Sequence, residues 1–467
     1  MREDLLARLR DGGELGFSQQ LRLVGRLSLP AMMSQLSTVM MQYIDSSMLG
    51  QLGASQSASI GLMMTCTWLF SDMCFAAVAG FTVLVAQYIG AKQDRTARSI
   101  MKQGMVITIG LSMLLAALGV AISGWLPGWL GGEPSICRDA TRYFMIFALA
   151  LPFAQLNNIA GGMLQASGNM KATSILNIVM CVMDVVFNAF FIFPEFKVLG
   201  LTLPGAGLGV AGAALGTAAA QVVTSLVMAS ILFLHSPALK LRRGEPLRFC
   251  RDHIIGSMKI SLPVAVEYAV MCSAQIVVTR IVAPLGTIPI AANSFAVAAE
   301  SLCYMPGYGI GMAASTLIGQ SVGAKRADMV KRLSWLTTLL GMTVMAVSGT
   351  IMYAAAPWIM GMLSRDAQVV ALGVKVLRIE AFAEPLFGAA IVASGVCRGA
   401  GDTLGPSLMS FCSMWLVRIP VAALLVGRIG LSGVWVAMCS ELCVRGALFL
   451  IRLWRGKYAE KALNAPR

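Results

Sequence analysis

Charge is scarce in this chain: only 12% of its 467 residues are Asp, Glu, Lys or Arg, where soluble domains average about 25%. So little charge cannot dress a protein of this size for water, which excludes a soluble globular fold. Histidine is scarcer still. The two present, His235 and His253, form no His-Glu-x-x-His pair, so a zinc protease is excluded. No Gly-x-x-x-x-Gly-Lys-Ser/Thr loop occurs to cradle the phosphates of ATP, and no Gly-x-Ser-x-Gly elbow to expose a serine nucleophile. Eleven cysteines lie mostly inside apolar stretches and form no Cys-x-x-Cys pair, so they read as small apolar fillers with no disulfide framework or zinc site. Neither an enzyme nor a cofactor is expected, and any uphill work must draw on an ion gradient or a separate subunit.

What the chain has in abundance is apolar length. Hydrophobic residues make up 57% of it, and the mean hydropathy is +0.76. A bilayer core asks for roughly 20 apolar residues per helix. Twelve such segments are predicted, near 28–49, 58–88, 103–124, 140–166, 172–193 and 209–234, then 261–283, 290–321, 333–356, 369–397, 404–426 and 431–453. Residues 1–26 are polar and arginine-bearing, and the first apolar segment is too long for a signal core, so a cleavable signal is not expected.

The chain is also written twice. At an offset of 233, Ser28-Leu29-Pro30 returns as Ser261-Leu262-Pro263, Leu52-Gly53 as Leu285-Gly286, and Gly90-Ala91-Lys92 as Gly323-Ala324-Lys325. Gln87 meets Gln320, Trp125 meets Trp358, Pro152 meets Pro385 and Gly168 meets Gly401. One ungapped offset over that distance marks a duplication. Six segments per half is an even number, so the repeats enter from the same side and are parallel. The expected fold is an all-α integral membrane protein: twelve transmembrane helices in two six-helix lobes around a central cavity. The expected divisions are a 1–26 N-terminal segment, a 27–234 lobe, a 235–259 basic linker, a 260–454 lobe and a 455–467 tail.

The net charge of +14 does not call for nucleic acid. Lys92, Arg95, Arg98 and Lys102 follow the second segment. Lys240, Arg242, Arg243, Arg248, Arg251 and Lys259 fill the linker. Lys325, Arg326, Lys331 and Arg332 follow the eighth, and Arg452, Arg455, Lys457, Lys461 and Arg467 end the chain. Alternate loops hold only Arg138, Lys197, Arg365 and Arg428. This is the positive-inside pattern, with both termini cytoplasmic.

Polar groups inside lipid are costly and mark function or tight packing. In the first segment Gln35, Thr38, Gln42 and Asp45 are spaced three, four and three apart, on one helical stripe that begins just after Pro30, a helix-weakening residue. In the fifth, Asn177, Asp184 and Asn188 are spaced seven and four apart, again on one face. Facing one another, the stripes would offer carboxylate and amide oxygens, hard ligands for a proton or an alkali cation; otherwise they are polar glue between helices. In the second half, Glu267 follows Pro263 by one turn. Glu300 and Tyr304 share a face ahead of Pro306-Gly307-Tyr308-Gly309, where Tyr304 and Tyr308 suit a flat cation. Glu380 and Glu384 sit one turn apart before Pro385. They either share a proton as close carboxylates or pair with Arg280, Arg378 or Arg418. Thirty-one methionines suit a promiscuous cavity or an ordinary core.

Several stretches together resemble the multidrug and toxic compound extrusion (MATE) family over residues 25–455. They are Ser28-Leu29-Pro30, Tyr43-Ile44-Asp45, Gln87-Tyr88-Ile89-Gly90-Ala91, Glu300-Ser301-Leu302-Cys303-Tyr304-Met305-Pro306-Gly307, Arg398-Gly399-Ala400-Gly401-Asp402-Thr403 and Trp415-Leu416-Val417-Arg418-Ile419-Pro420. The resemblance implies a secondary antiporter that exports organic, usually cationic, compounds in exchange for H⁺ or Na⁺. It also implies that Asp45 is the coupling acid, that helix bending occurs near Pro30, and that the cation site draws on Asp184, Asn188 and Thr217. One departure is visible: related members place the amide first and the acid one turn later, and here Asp184 precedes Asn188. A deeper acid of another branch falls near Met271, so Glu267 does not inherit that role. The partners expected are a small organic substrate and membrane lipid, the chain acting as a monomer in the plasma (bacterial inner) membrane. The alternatives are a flippase for a lipid-linked saccharide, whose anionic cargo would want Arg280, Arg398 and Arg418 in the cavity, and a membrane enzyme or receptor.

Overall fold

A computed structural model describes residues 5–198, 201–242 and 244–464; Arg243 and Arg467 of the basic series lie outside them. The chain opens with α1 (Leu5–Arg10) and α2 (Phe17–Gly50), then α3 (Ala54–Gly90), α4 (Asp94–Ile122), the single turn α5 (Leu126–Trp129), α6 (Pro134–Ala166) and α7 (Met170–Ile192). A small antiparallel hairpin follows, β1 (Glu195–Val198) with β2 (Leu201–Pro204), paired from Glu195↔Pro204 to Val198↔Leu201. After α8 (Gly209–Ser230) come α9 (Arg251–Val282), α10 (Thr287–Gly323), α11 (Ala327–Leu363), α12 (Ala367–Glu380), α13 (Glu384–Gly399), α14 (Leu404–Cys412), α15 (Ile419–Ile429), α16 (Leu431–Arg455) and the short α17 (Lys457–Asn464).

All twelve expected segments are helical. Among the described residues, ten helical stretches are long and apolar enough to span a bilayer. The two others carry the polar residues: α2, with the stripe ending in Asp45, and the pair α12 and α13, which Ala381–Ala383 divide. Pro385 is compatible with the division. It has no N–H to offer the carbonyl four residues back, and it sits in the first turn of α13, where that lack costs nothing. Its repeat counterpart Pro152 lies inside an unbroken α6. Pro30 likewise lies inside a continuous α2. The eleventh segment is interrupted differently, by a wide π turn over Ser413–Arg418 ahead of Pro420. Proline crowds the preceding turn, and widening the helix relieves it.

The duplication extends to exceptional backbone angles. Lys92 and Lys325, 233 residues apart, are the two non-glycine residues with positive φ among the described ones, at 59° and 56°. Gly53 and Gly286 form a second such pair at 119° and 99°, and Gly168 and Gly401 a third at 90° and 82°. Lysine rarely adopts this left-handed geometry, so sharing it marks two copies of one helix end.

The contacts divide into two compact units. One comprises residues 1–36, 86–93 and 262–467; its core gathers Cys303, Met345, Met352, Leu377, Phe387, Trp435 and Leu442 on α10 to α13 and α16. Within it the end of α3 meets the end of α10 backbone to backbone. A Cβ on Gly90 would strike the Gln320 main chain, and one on Gly323 the Gln87 main chain. These contacts exchange under the 233-residue offset, so they form a small pseudo-twofold interface. The other unit comprises residues 37–85 and 94–261, with a core of Met63, Phe70, Phe144 and Leu151 among others. Here the basic linker is docked. Arg98 grips Glu245 with two bonds, Nη2 to Oε1 at 2.6 Å and Nε to Oε2 at 2.9 Å, and Lys102 Nζ donates to the Glu245 carbonyl at 2.6 Å. The predicted seventh segment begins ten residues early, at Arg251, so Arg251 and Lys259 ride on α9.

Candidate functional site

The stripe of α7 meets α2 at Asn188. Its amide nitrogen donates to Asp45 Oδ1 at 2.8 Å and to Asp184 Oδ2, one turn back on its own helix, at 3.0 Å. One NH₂ group thus ties together two carboxylates from two helices. Asp184 is 0% and Asn188 1% exposed, while Asp45 is half-buried. The second oxygen of Asp184, Oδ1, and the amide oxygen of Asn188 have no hydrogen-bond partner. The Thr217 hydroxyl of α8 is the remaining polar neighbour of Asp184.

Glycine makes this meeting possible. A Cβ on Gly216 would fall on the Asn188 amide oxygen and within 2.9 Å of its backbone nitrogen, so α8 approaches α7 closely only because residue 216 has no side chain. Gly212, one turn earlier, continues this small face, since a Cβ there would strike the Phe191 main chain of α7. Tyr143 on α6, which the stripes did not single out, lies within electrostatic reach of both Asp45 and Asp184. Its cue was weak, since Tyr143 stands where Thr141-Arg142 gives way to the apolar run from Phe144.

Asn177, the remaining member of the predicted cation set, stands apart. It lies seven residues from Asp184, about 10 Å along the helix. Of the α2 residues expected to line a substrate cavity, Gln35 and Thr38 are half-buried and Gln42 is exposed.

In the second half a different cluster forms. Glu380 ends α12 and Glu384 starts α13, both 0% exposed; no hydroxyl, amide or guanidinium donates to their four carboxyl oxygens, and the weak donor beside Glu384 is the Cys303 thiol. Glu300 of α10 is buried with them, and Arg418 in the π turn lies within electrostatic reach of Glu300 and Glu380. Arg378 is turned elsewhere: its guanidinium lies 5.1 Å from the centre of the Tyr353 ring. On α16, Glu441 and Arg445 pair at 3.0 Å, and Ser413 Oγ donates to Glu441 at 2.8 Å. The pair was detectable beforehand, as two opposite charges one turn apart in an apolar segment. Tyr304 stacks edge-on with Tyr308 at 5.9 Å and with Phe387 at 5.6 Å. Glu267 has other neighbours, the hydroxyls of Ser410 at 2.8 Å and Ser407 at 3.2 Å, which tie α9 to α14. No group of three or more His, Cys, Asp or Glu is placed to chelate a metal ion among the described residues.

Comparison with known proteins bears on this arrangement. The MatE family model matches twice, over residues 30–190 and 263–424, the two starts being 233 residues apart. Probable multidrug resistance proteins named NorM are similar along nearly the whole chain. That of Thermotoga maritima is 24% identical over 444 residues, covering 94% of this chain and 93% of its own. That of Pseudomonas aeruginosa is 27% identical over 457 residues, covering 93% and 90%. Among solved structures, a MOP superfamily transporter from Pyrococcus furiosus superposes with a TM-score of 0.89 at 17% identity, covering all of both chains. A Vibrio cholerae MATE transporter does so with 0.88 at 18%, covering 96% and 99%. With two matches to one family model on the two halves of a twelve-helix membrane protein, this chain belongs to the MatE family, the multidrug and toxic compound extrusion transporters.

Proposed function

We propose that this transporter exports organic, chiefly cationic, small molecules from the cell in exchange for H⁺ or Na⁺ by alternating access, with Asp45, Asp184 and Asn188 as the coupling centre. The observation that carries the reading is the Asn188 amide held between two carboxylates. Two negative charges at that separation, largely out of water, attract one monovalent cation strongly. The Asp184 oxygen without a partner and the Thr217 hydroxyl supply the further oxygens such an ion needs. Similarity to NorM proteins supports a drug-like substrate.

In the cycle, Asp45 is ionised in the outward-facing state. Binding of H⁺ or Na⁺ removes the negative charge that held a cationic drug, the first helix relaxes near Pro30, and the drug leaves. The transporter then reorients, releases the ion inside and loads drug again. Substrate and ion are coupled because they compete for one charge, and reciprocity follows from linkage. The reading sets the chain in the plasma membrane with both termini cytoplasmic, and the distribution of Lys and Arg supports that orientation.

The test is ethidium efflux from reconstituted vesicles under a Na⁺ gradient or a pH gradient imposed separately, with Asp45→Asn beside the wild type. Efflux driven by one gradient and lost in the variant is expected. Absence of efflux under both, with the protein correctly inserted, would overturn the reading in favour of a lipid-linked saccharide flippase.

A further inference from the structure

Two cations of the second half have no acid to answer them. Lys375 and Arg378 stand one turn apart on α12, in the tenth apolar segment, Lys375 exposed and Arg378 half-buried. Among the described residues no carboxylate lies within ion-pair distance of either. Arg378 is held in place all the same. Its Nε donates to the Tyr353 carbonyl of α11 at 3.4 Å, and its guanidinium rests 5.1 Å from the centre of the Tyr353 ring. The two terminal nitrogens, Nη1 and Nη2, make no hydrogen bond within the described residues.

These nitrogens border a groove. α11 and α16 both pack against α12, and where the three meet lies a space of about 320 Å³ lined by Tyr353, Arg378, Ile379, Phe382, Val436 and Ser440. Its walls are apolar apart from Arg378. The Ser440 hydroxyl is spent within α16, donating to the Val436 carbonyl at 2.8 Å, and Phe382 is 72% exposed at the break in the tenth segment. The flanking helices turn apolar side chains outward, Val347, Ile351 and Trp358 on α11 and Val444 and Ile451 on α16. Such a face in a membrane protein meets lipid. Trp358 stands about 7.5 Å beyond Tyr353 toward the end of α11, and exposed tryptophan favours the level of the headgroups. The guanidinium therefore lies a turn or so below the phosphates of the leaflet opposite the termini, the outer one in the orientation proposed above. Lys375, nearer the start of α12, is closer to them.

A cation in hydrocarbon is costly, and it escapes by reaching toward the interface or by meeting an anion. Tyr353 holds Arg378 back from the first course. A guanidinium with two open nitrogens matches the two unesterified oxygens of a phosphodiester. The apolar groove beside it is at the small end of ligand-sized sites, roughly 300–1,000 Å³, enough for part of one acyl chain. Lys375 decides the headgroup: its ammonium attracts a lipid of net negative charge and repels the ammonium of a zwitterionic one. An organic cation would be repelled by both side chains.

We propose that the groove of α11, α12 and α16 is a binding site for one anionic phospholipid, its phosphate held by Arg378 and Lys375 and an acyl chain laid against Ile379, Phe382 and Val436. The site is separate from the coupling centre and does not depend on which ion or compound the transporter carries.

The experiment is native mass spectrometry of the full-length protein, delipidated in detergent and titrated with dioleoyl phosphatidylglycerol, dioleoyl phosphatidylethanolamine or oleate. One phosphatidylglycerol per chain is expected to bind about tenfold more tightly than phosphatidylethanolamine. Its affinity should fall about tenfold in R378Q and about fivefold in K375Q. S440W, which fills the groove without altering charge, should weaken binding as much as R378Q does. R428Q, which removes an exposed cation at the end of α15, should leave it unchanged. Equal affinity for the two phospholipids would mean annular lipid only, oleate binding as tightly as phosphatidylglycerol would mean a carboxylate amphiphile, and a loss in R428Q matching that in R378Q would mean diffuse charge. Each of these would overturn the proposal. K375Q and S440W, both at exposed positions, keep the test decisive should R378Q fail to insert.

Discussion

Replacing Asn188 with alanine tests the coupling centre most directly. The substitution removes one amide and with it two hydrogen bonds to carboxylates, at 2.8 Å to Asp45 and 3.0 Å to Asp184. Hydrogen bonds to charged groups contribute roughly 1.5–3 kcal/mol each. Water cannot easily replace the lost donor, because Asp184 is 0% exposed and the α8 wall is closed by Gly216. Half-buried Asp45 recovers part of its loss from solvent. A net change of about 3 kcal/mol in the balance between the ion-bound and ion-free centre follows, equivalent to roughly a 100-fold change in an equilibrium constant. The assay is gradient-driven ethidium efflux at matched membrane expression, with Asn188→Asp alongside to separate charge from hydrogen bonding. Efflux is expected to fall on the order of 100-fold in Asn188→Ala. Efflux within about twofold of wild type, a difference of only ~0.4 kcal/mol, would refute the bridging role.

Gly216→Ala should act on the same centre by steric means, pushing α8 from α7 at a cost of about 1–3 kcal/mol. It should lower both the thermal midpoint in detergent and the coupled efflux, and an unchanged midpoint would show that the close approach is unimportant. Gly90→Ala and Gly323→Ala should each lower the midpoint by similar amounts, because each new Cβ meets the opposite repeat's backbone; a large effect from one with none from the other would deny the pseudo-twofold contact. The Arg98 guanidinium, hydrogen-bonded to the Glu245 carboxylate, holds that carboxyl below the usual glutamate range. With the folded pKa depressed, the linker tie is present above the ordinary value of about 4.3 and is lost as pH falls through the folded one. Wild type should therefore lose linker protection in acid, read by limited proteolysis of residues 236–250. Glu245→Gln should be cleaved equally at neutral and acid pH, and a pH-dependent difference retained in that variant would refute the tie.

Much of this was legible in the residues themselves, for identifiable reasons. Hydrophobicity is a local property, so a run such as 103–124 announced a spanning helix without reference to any neighbour. Duplication is a relation between two stretches of text, and the 233-residue offset that pairs Lys92 with Lys325 reappears as a shared left-handed backbone. Asp45, Asp184 and Asn188 were visible because ionisable and amide groups at helical spacing are conspicuous in an apolar background. The tertiary structure decided what those groups meet. That Asn188 reaches both acids, while Asn177 on the same face lies two turns away, depends on where α2 crosses α7 and on Gly216 letting α8 come close. Tyr143 comes within electrostatic reach of the centre from a third helix, α6. Pro152 and Pro385 are the same letter in two copies, yet α6 runs through one and the tenth segment breaks at the other. Glu267 reads like the other second-half acids but spends its oxygens on Ser407 and Ser410, whereas Glu380 and Glu384 meet no such hydroxyls. Apolar length and spacing act along the chain and determine which helices form and which faces are polar. Partners are set across the chain, by the approach and rotation of neighbouring helices, and only packing in three dimensions fixes those.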